Sequence, residues 1–503
     1  MNKVIEEFKD FIDFKPRENE LKASQAPSAV FQEMGEKQAL KTFKNASKTI
    51  PAYKDFLKKN KVEPEKIKNF KDFQKVPFTN KDNYLKKYPL KDLQIGGDFT
   101  GKSAITSSSG STGEPLFWPR FPAQDFGATR GWDSFLTSVL DIDQIPTLHV
   151  NCSGMGVWAA GDYISILNKY LSYKYQHNSS ICPGIDMENT IKVLENISPN
   201  FKQTIIYSYP PFAKDIIDSL PVRLIKKYNL RLVVYGEAYT EKWREYVLKK
   251  ITGWKRKPYY VTSVLGSAEG GLIGMESRAC TIIRRIAHKN KGAARKLFNE
   301  ERVPSVIQFN PMSRFIEISK NNIVLTSMGG LPLIRYDTHD FGNLLTKEYI
   351  IQELQDSFKI NLESEARRLQ ALITSLPYLY VFGRADYTAS IYGVLIYPET
   401  IKDILSSSPF SRYLSGKFTI STEEDSNSNQ YLNLILETKN GIDANEVAIP
   451  TIEKLFAEHL RLYSSEYAKL LSSAGERVHP KIEIRNYGDE EYFSGKNKQK
   501  YLI

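Results

Sequence analysis

The stretch TSSSGSTGEP, Thr106–Pro115, decides how the rest of this 503-residue chain is read. It follows Ser103–Ile105 (SAI), which has the composition of a strand. Ser107, Ser108, Ser109, Gly110, Ser111, Thr112 and Gly113 stand in an unbroken row, and none of them fills a core. Glycines let backbone N–H groups turn toward one point, and hydroxyls add donors there, as in a loop that cradles phosphate oxygens. A flexible Ser/Gly linker has the same composition. The Gly-Lys-Ser/Thr ending of a Walker loop is missing, which disfavours a simple P-loop ATPase.

Around this loop the pattern is α/β. From about residue 100 to 385, β-rich runs (TLHV at 147–150, QTIIYSY at 203–209, LRLVVYG at 230–236, YYVTSVLG at 259–266) alternate with helical stretches such as TEKWREYVLKKI. Such alternation predicts a largely parallel sheet. Residues 1–95 read as helical and charged, broken near Pro51, Pro64, Pro77 and Pro89. In the last hundred residues PETIKDIL (398–405) reads as a helix, and KFTIS and YLNLILET as strands. A helical stretch at 444–474 follows, then the strand PKIEIRNY, completing a small α+β unit. VFGRADYTAS, 381–390, marks the boundary. The expected organisation is a helical part at 1–95 and an α/β core at 96–382 with mixed or parallel sheets. A small α+β C-terminal domain follows at 383–503. The basic run at 284–302, RRIAHKNKGAARKLFNEER, reads as a solvated helix.

Composition narrows the partners. Lys+Arg 69 against Asp+Glu 58 leaves a net charge of +11, spread along the chain. A solvated basic surface or a small anion accounts for it, and no nucleic-acid partner is expected. Cys152, Cys182 and Cys280 form neither a disulfide framework nor a CxxC metal pair. The N-terminus lacks the apolar core of a signal peptide, and no run of about 18 apolar residues spans a bilayer. The chain reads as cytoplasmic, without a membrane span.

Four more stretches carry candidate chemistry. In LGSAEGG, Leu265–Gly271, Glu269 sits on a glycine-rich turn after a strand, where open α/β sheets place ligands. A carboxylate there can hold Mg²⁺ against nucleotide phosphates. LPLIRYDTHDFGN, 331–343, offers Asp337 and Asp340 to ribose hydroxyls, although an Arg335–Asp pair reads equally well as structural. GRAD, Gly383–Asp386, and the basic SGKNKQK, Ser494–Lys500, complete the set. For an apolar acid, VNCSGMGVWAAG (150–161) and IIYSYPPF (205–212) offer Trp158 and Tyr209, with Gly266 beside them; ordinary core packing is the competing reading. Cys152, His149 and His177 show no dyad spacing and read as structural.

In order and spacing, these motifs resemble the adenylate-forming superfamily of acyl- and aryl-CoA synthetases, most closely its phenylacetate–coenzyme A ligase branch. SSSGSTGEP matches the family's phosphate loop. VVYGEAYTEKWRE is similar to its G-G-E-P-L-T segment, LGSAE to Y-G-x-[ST]-E and LIRYDTHD to I-R-Y-r-T-G-D. GRADYTASIYGVLIYPETI follows the hinge motif without a gap, and SGK resembles the closing S-G-K. The resemblance covers about residues 100–500.

It implies that Ser107–Thr112 bind ATP phosphates with Thr112 and Gly113 at the turn, and that Glu269 holds Mg²⁺. It also implies that Gly236, Glu237 and Ala238 line adenine, with Leu265, Gly266, Ser267 and Ala268 at the nucleotide. Asp340 would bind ribose, with Arg384 nearby. Lys496 would reach the α-phosphate, and Asp386 would be the pivot of a mobile C-terminal domain. The implied activity is that of an AMP-forming acid–thiol ligase. It would join an aromatic or other acyl carboxylic acid to AMP with release of pyrophosphate, then pass it to a thiol, coenzyme A. The alternatives are a protein or amine acceptor, or a catalytically reduced nucleotide-binding relative. The oligomeric state is open, a homodimer included. Five departures stand out: Leu265 for the usual tyrosine, Ala268 for a hydroxyl residue, His339 for glycine, Tyr387 for the second hinge aspartate and Tyr392 for arginine.

Overall fold

The computed structural model describes residues 2–107, 116–157, 159–236, 238–252, 257–301, 303–384, 389–396, 400, 401, 404, 405, 407, 409–426, 428–447 and 449–493. Two compact units divide the chain after Ala385.

In the larger unit, β1 (Ala104–Ser107) and β2 (Phe117–Arg120) form an antiparallel pair. The main sheet contains β3 (Thr147–Asn151), β4 (Asn178–Ile181), β5 (Gln203–Ser208), β6 (Leu230–Val234), β7 (Val261–Ser267), β8 (Gly271–Met275), β9 (Ser305–Gln308), β10 (Phe315–Ser319), β11 (Asn322–Ser327), β12 (Leu333–Leu345) and β13 (Tyr378–Arg384). Its order is β10-β11-β12-β13-β9-β8-β7-β6-β5-β3-β4. Strands β3, β5 and β6 are buried at every position. Both faces of a parallel sheet are covered, so such strands read as continuous apolar runs. Alternate residues serve opposite faces. Leu148, Ile206 and Leu232 pack with helices Pro210–Ser219 and Glu241–Thr252. Ile205, Tyr207 and Val233 pack with helices Pro122–Leu140 and Ala159–Lys174.

Parallel pairing stops at β7. Val261–Ser263 run parallel to β6, and Val264–Ser267 run antiparallel to β8. Every pairing from there to β10 is antiparallel. The α/β class expected from the sequence is present, with a mixed sheet. Its antiparallel side is built partly from tight turns: Lys320 and Asn321, both at positive φ, connect β10 directly to β11. This is the backbone of a two-residue hairpin turn, which leaves no room for a crossover helix.

Amino-terminal helices Asn2–Ile12, Pro16–Gln25, Ser28–Thr49 and Pro51–Lys59 precede the sheet, the second and fourth opening on proline. They are tied to it through Thr79, whose N–H donates to Arg335 O at 3.0 Å and whose carbonyl accepts from Asp337 N at 2.8 Å. Arg335 is buried, donates to the carbonyls of Gln74 and Val76, and pairs with Glu317. Its role is structural, and its carboxylate partner is Glu317.

The run at 284–302 begins inside helix Arg278–Lys289, followed by helix Lys291–Phe298. It is solvated on one face only. Arg284 is buried against Glu276, which corrects the reading of a fully solvated helix. Charge composition alone cannot reveal a buried counter-ion.

The smaller unit has a hairpin, β14 (Ala389–Ile391) and β15 (Val394–Ile396), whose turn residues Tyr392 and Gly393 both take positive φ. A second sheet joins β16 (Leu414–Glu424) to β17 (Gln430–Thr438) antiparallel, and β17 to β18 (Lys481–Arg485) parallel. Helices Ile449–Tyr463 and Ser465–Ala474 cover it, with Phe418, Leu434, Phe456, Leu460 and Tyr467 in the core. The expected single helical stretch is thus two, because Ser464 caps the second by accepting from Tyr467 N.

Candidate functional site

Two candidate residues, Tyr209 and Gly236, meet where β5 and β6 end, the edge at which open α/β sheets hold ligands. Tyr209 leaves β5 half-buried, and Gly236 follows β6 by two residues at φ +89°. A β-carbon on Gly236 would stand 2.5 Å from the Tyr209 ring. Glycine is therefore required there twice, for the left-handed backbone and for the ring's close approach. Gly236 and Ala238 are exposed.

The segment after Ala238 is anchored by a buried ionic network. Tyr239 Oη donates to Glu276 Oε2 at 2.7 Å, and Arg244 Nη2 donates to Tyr239 Oη at 2.7 Å. Arg244 also pairs with Glu276, and Arg284 donates to Glu276 at 3.1 Å and to the Tyr239 carbonyl at 2.8 Å. Glu276 accepts from Ser263 N and Oγ of β7, both at 3.1 Å. Burial pushes the Glu276 carboxyl up, but Arg244 and Arg284 outweigh it and hold it below its ordinary value. One carboxylate thus binds the chain after β6 to strand β7.

Beyond β7, residues 268–270 form a tight turn into β8, closed by a 2.9 Å bond from Gly270 N to Ser267 Oγ. Leu265, Ser267, Ala268 and Glu269 are half-buried, and Gly266 is exposed. Among the described residues no three His, Cys, Asp or Glu side chains cluster as a metal cage. Any divalent ion on Glu269 would complete its shell with ligand oxygens and water, which suits Mg²⁺.

Near β3, a polar set escaped the sequence reading. Asn151 Nδ2 donates to Gly161 O at 2.9 Å and to Ser165 Oγ at 2.8 Å, while Ser153 Oγ contacts Asn151 Oδ1 and Tyr235 Oη. Their only sequence signal was the small-residue run around Gly154. Ser107, at the end of β1, is buried and donates its N–H to Val157 O at 2.8 Å. The start of the hydroxyl–glycine loop is therefore fastened to the segment read as an acid-binding stretch.

At the other side of the sheet, Asp340 of β12 lies opposite Arg384 of β13 in register. His339 takes φ +59° and donates its N–H to Asp337 Oδ1 at 2.9 Å. The position expected to favour glycine does have a left-handed backbone, and a histidine tolerates it with help from a neighbouring carboxylate.

His149 and Cys152 form no dyad. His149 Nδ1 lies 2.6 Å from Tyr207 Oη, and burial pulls the imidazole down to about 3. Cys152 Sγ contacts Thr190 Oγ1 at 3.6 Å, and burial pushes its thiol up to about 12. Ser108–Gly113, Trp158, Glu237, Asp386 and Lys496 lie outside the described residues.

No protein-family model matches the chain, and no curated protein matches it. Solved structures resemble it in fold. 2-Hydroxyisobutyryl-CoA ligase, in complex with 2-HIB-AMP and CoA in the thioesterification state, is 14% identical over 95% of this chain and 90% of that one, with a TM-score of 0.63. The same ligase in the postadenylation state with 2-HIB-AMP gives 0.51 at the same identity and coverage. The amide bond synthetase McbA from Marinactinospora thermotolerans is 12% identical over 77% of this chain and 65% of that one, with a TM-score of 0.46. The large α/β unit and small α+β unit thus share the fold of 2-hydroxyisobutyryl-CoA ligase.

Proposed function

We propose that the chain is an ATP- and Mg²⁺-dependent ligase that activates a carboxylic acid as its acyl-adenylate and passes the acyl group to a thiol, coenzyme A. The observation that carries this reading is the pair of ligand-type turns after two adjacent strands of one sheet. Exposed Gly236 and Ala238 follow β6, and the Glu269 turn follows β7, in a fold shared with a ligase solved with an acyl-AMP.

A carboxylate cannot expel oxide, so it must first acquire a leaving group. Its oxygen attacks the α-phosphorus of ATP; the new O–P bond forms as the P–O bond to pyrophosphate breaks. Thiolate then attacks the acyl carbon, and the C–O bond to AMP breaks. The first step brings two anions together, so cations and N–H donors govern its rate. Ser107–Thr112 and Gly113 are assigned to the phosphates, Asp340 and Arg384 to the ribose side, and Lys496 to the α-phosphate. Asp386 is assigned to the pivot, and Trp158, Tyr209 and Gly266 to the acid. Mg²⁺ on Glu269 would neutralise phosphate charge. Phenylacetate-type aromatic acids are the first substrates to test, because Tyr209 presents a half-buried ring beside Gly236.

Acid-dependent exchange of labelled pyrophosphate into ATP, across a panel of carboxylic acids, tests the first step. Mass analysis of products with and without coenzyme A tests the second. Exchange without a thioester would move the acceptor to an amine or protein. ATP binding with no exchange for any acid would reduce the chain to a nucleotide binder.

A further inference from the structure

Arg314 differs from most buried arginines of the large unit. Arg120, Arg244, Arg284 and Arg335 each pair with a carboxylate, and Arg231 stacks on the Tyr260 ring at 3.3 Å. Arg314 is 8% exposed, and its Nε donates to Gly270 O at 2.8 Å and its Nη1 to Ser313 O at 3.0 Å. Among the described residues, neither a carboxylate nor any hydrogen-bond acceptor meets its Nη2. Burial pulls the guanidinium below its ordinary value, opposed only by Tyr163. A buried cation without a counter-ion is costly, and an incoming anion removes that cost.

The space beside Nη2 is kept open by a missing side chain. A β-carbon on Gly271 would meet two described atoms within 4 Å: Arg314 Nη2 at 3.4 Å and Tyr163 Oη at 3.9 Å. That hydroxyl is buried and has no partner among the described residues. Burial pushes the phenol up to about 12, so it remains protonated and can donate. Gly271 opens β8 two residues after Glu269.

We propose that Arg314 and Tyr163, facing the gap at Gly271, form a recognition site for an oxyanion, a phosphoryl or carboxylate oxygen of the substrates. Two donors converge on one point, and one carries an uncompensated charge. The inference rests on the proposed ligase activity only for which oxyanion arrives.

The test titrates the full chain with inorganic pyrophosphate, ATP and benzoate. Arg314→Gln is expected to weaken at least one of them by roughly 10- to 100-fold. Arg314→Lys should restore part of the loss, and Tyr163→Phe should weaken the same ligand by about 3- to 10-fold. Loss confined to pyrophosphate and ATP identifies a phosphoryl oxygen, and loss confined to benzoate a carboxylate. A folded Arg314→Gln that binds all three as the wild type does overturns the site. If that variant does not fold, unchanged binding by both Arg314→Lys and Tyr163→Phe overturns it, as does a wild type that binds none of the three. Arg314-dependent pyrophosphate binding by a protein that ignores ATP would defeat the ligase reading and leave this site standing.

Discussion

Tyr209 lies across the backbone of Gly236, so close that a β-carbon at 236 would stand 2.5 Å from the ring. Gly236→Ala is expected to destabilise the large unit by about 1–3 kcal/mol, combining the left-handed backbone with the displaced ring. In a Tyr209→Ala background the ring component should vanish and a smaller loss remain. Urea unfolding of the four proteins in this cycle measures the difference. An equal loss in both backgrounds would remove the ring from the account.

Glu276 holds Tyr239, Arg244, Arg284 and Ser263 together. Glu276→Gln leaves two buried guanidiniums short of a counter-charge and should cost about 3–5 kcal/mol. The folded carboxyl is held below its ordinary value of 4.5. Its stabilisation is therefore present above that value and lost as pH falls through the folded pKa. Acid unfolding below pH 4.5 should be steeper in the wild type than in the variant.

His149 works over a higher pH range. Its imidazole sits at about 3 when folded, against an ordinary 6.5. The unfolded chain gains a proton that the folded chain refuses, so stability falls as pH drops below 6.5. The slope is about 1.4 kcal/mol per pH unit well below that value. His149→Gln should flatten the dependence of the melting temperature between about pH 6.5 and 5. An unaltered slope would show that another group titrates there.

Lys496 and Glu269 divide the proposed reaction. Lys496→Ala should slow adenylation by about 100-fold or more while sparing thioester formation from a supplied adenylate. Equal loss in both assays would take the lysine out of its assigned role. Glu269→Gln should fold normally, because the side chain is only half-buried, yet turn over poorly and respond weakly to Mg²⁺. Full activity with an unchanged Mg²⁺ response would refute its assignment.

The parallel strands were legible because their burial writes itself as apolar runs: QTIIYSY, LRLVVYG and YYVTSVLG contain β5, β6 and most of β7. The helix in TEKWREYVLKKI was equally plain. Ser464 was harder, because a single capping serine splits a helix without altering its apolar spacing. The antiparallel side, allowed by the expected mixed sheet, could not be traced strand by strand for a different reason. Lys320–Asn321 is an ordinary polar pair unless its positive φ values are known. Glu276 and Arg314 were missed because partnership across tens of residues leaves no local pattern. At the candidate site, the turn carrying Glu269 stood out by its glycines and Gly236 only by the family resemblance, whereas Asn151, Ser153 and Tyr235 looked like ordinary strand ends.

The two carbonyls that Gln74 and Val76 present to Arg335, and the bridge from Thr79 to β12, have a practical consequence. The helical leader is not a detachable appendage. A shortened version starting after Thr79 would take two carbonyl acceptors from the buried Arg335 guanidinium, leaving it Glu317, and unmoor the strand that continues to Asp340. Such a truncation should lose solubility although it removes none of the residues assigned to the proposed reaction.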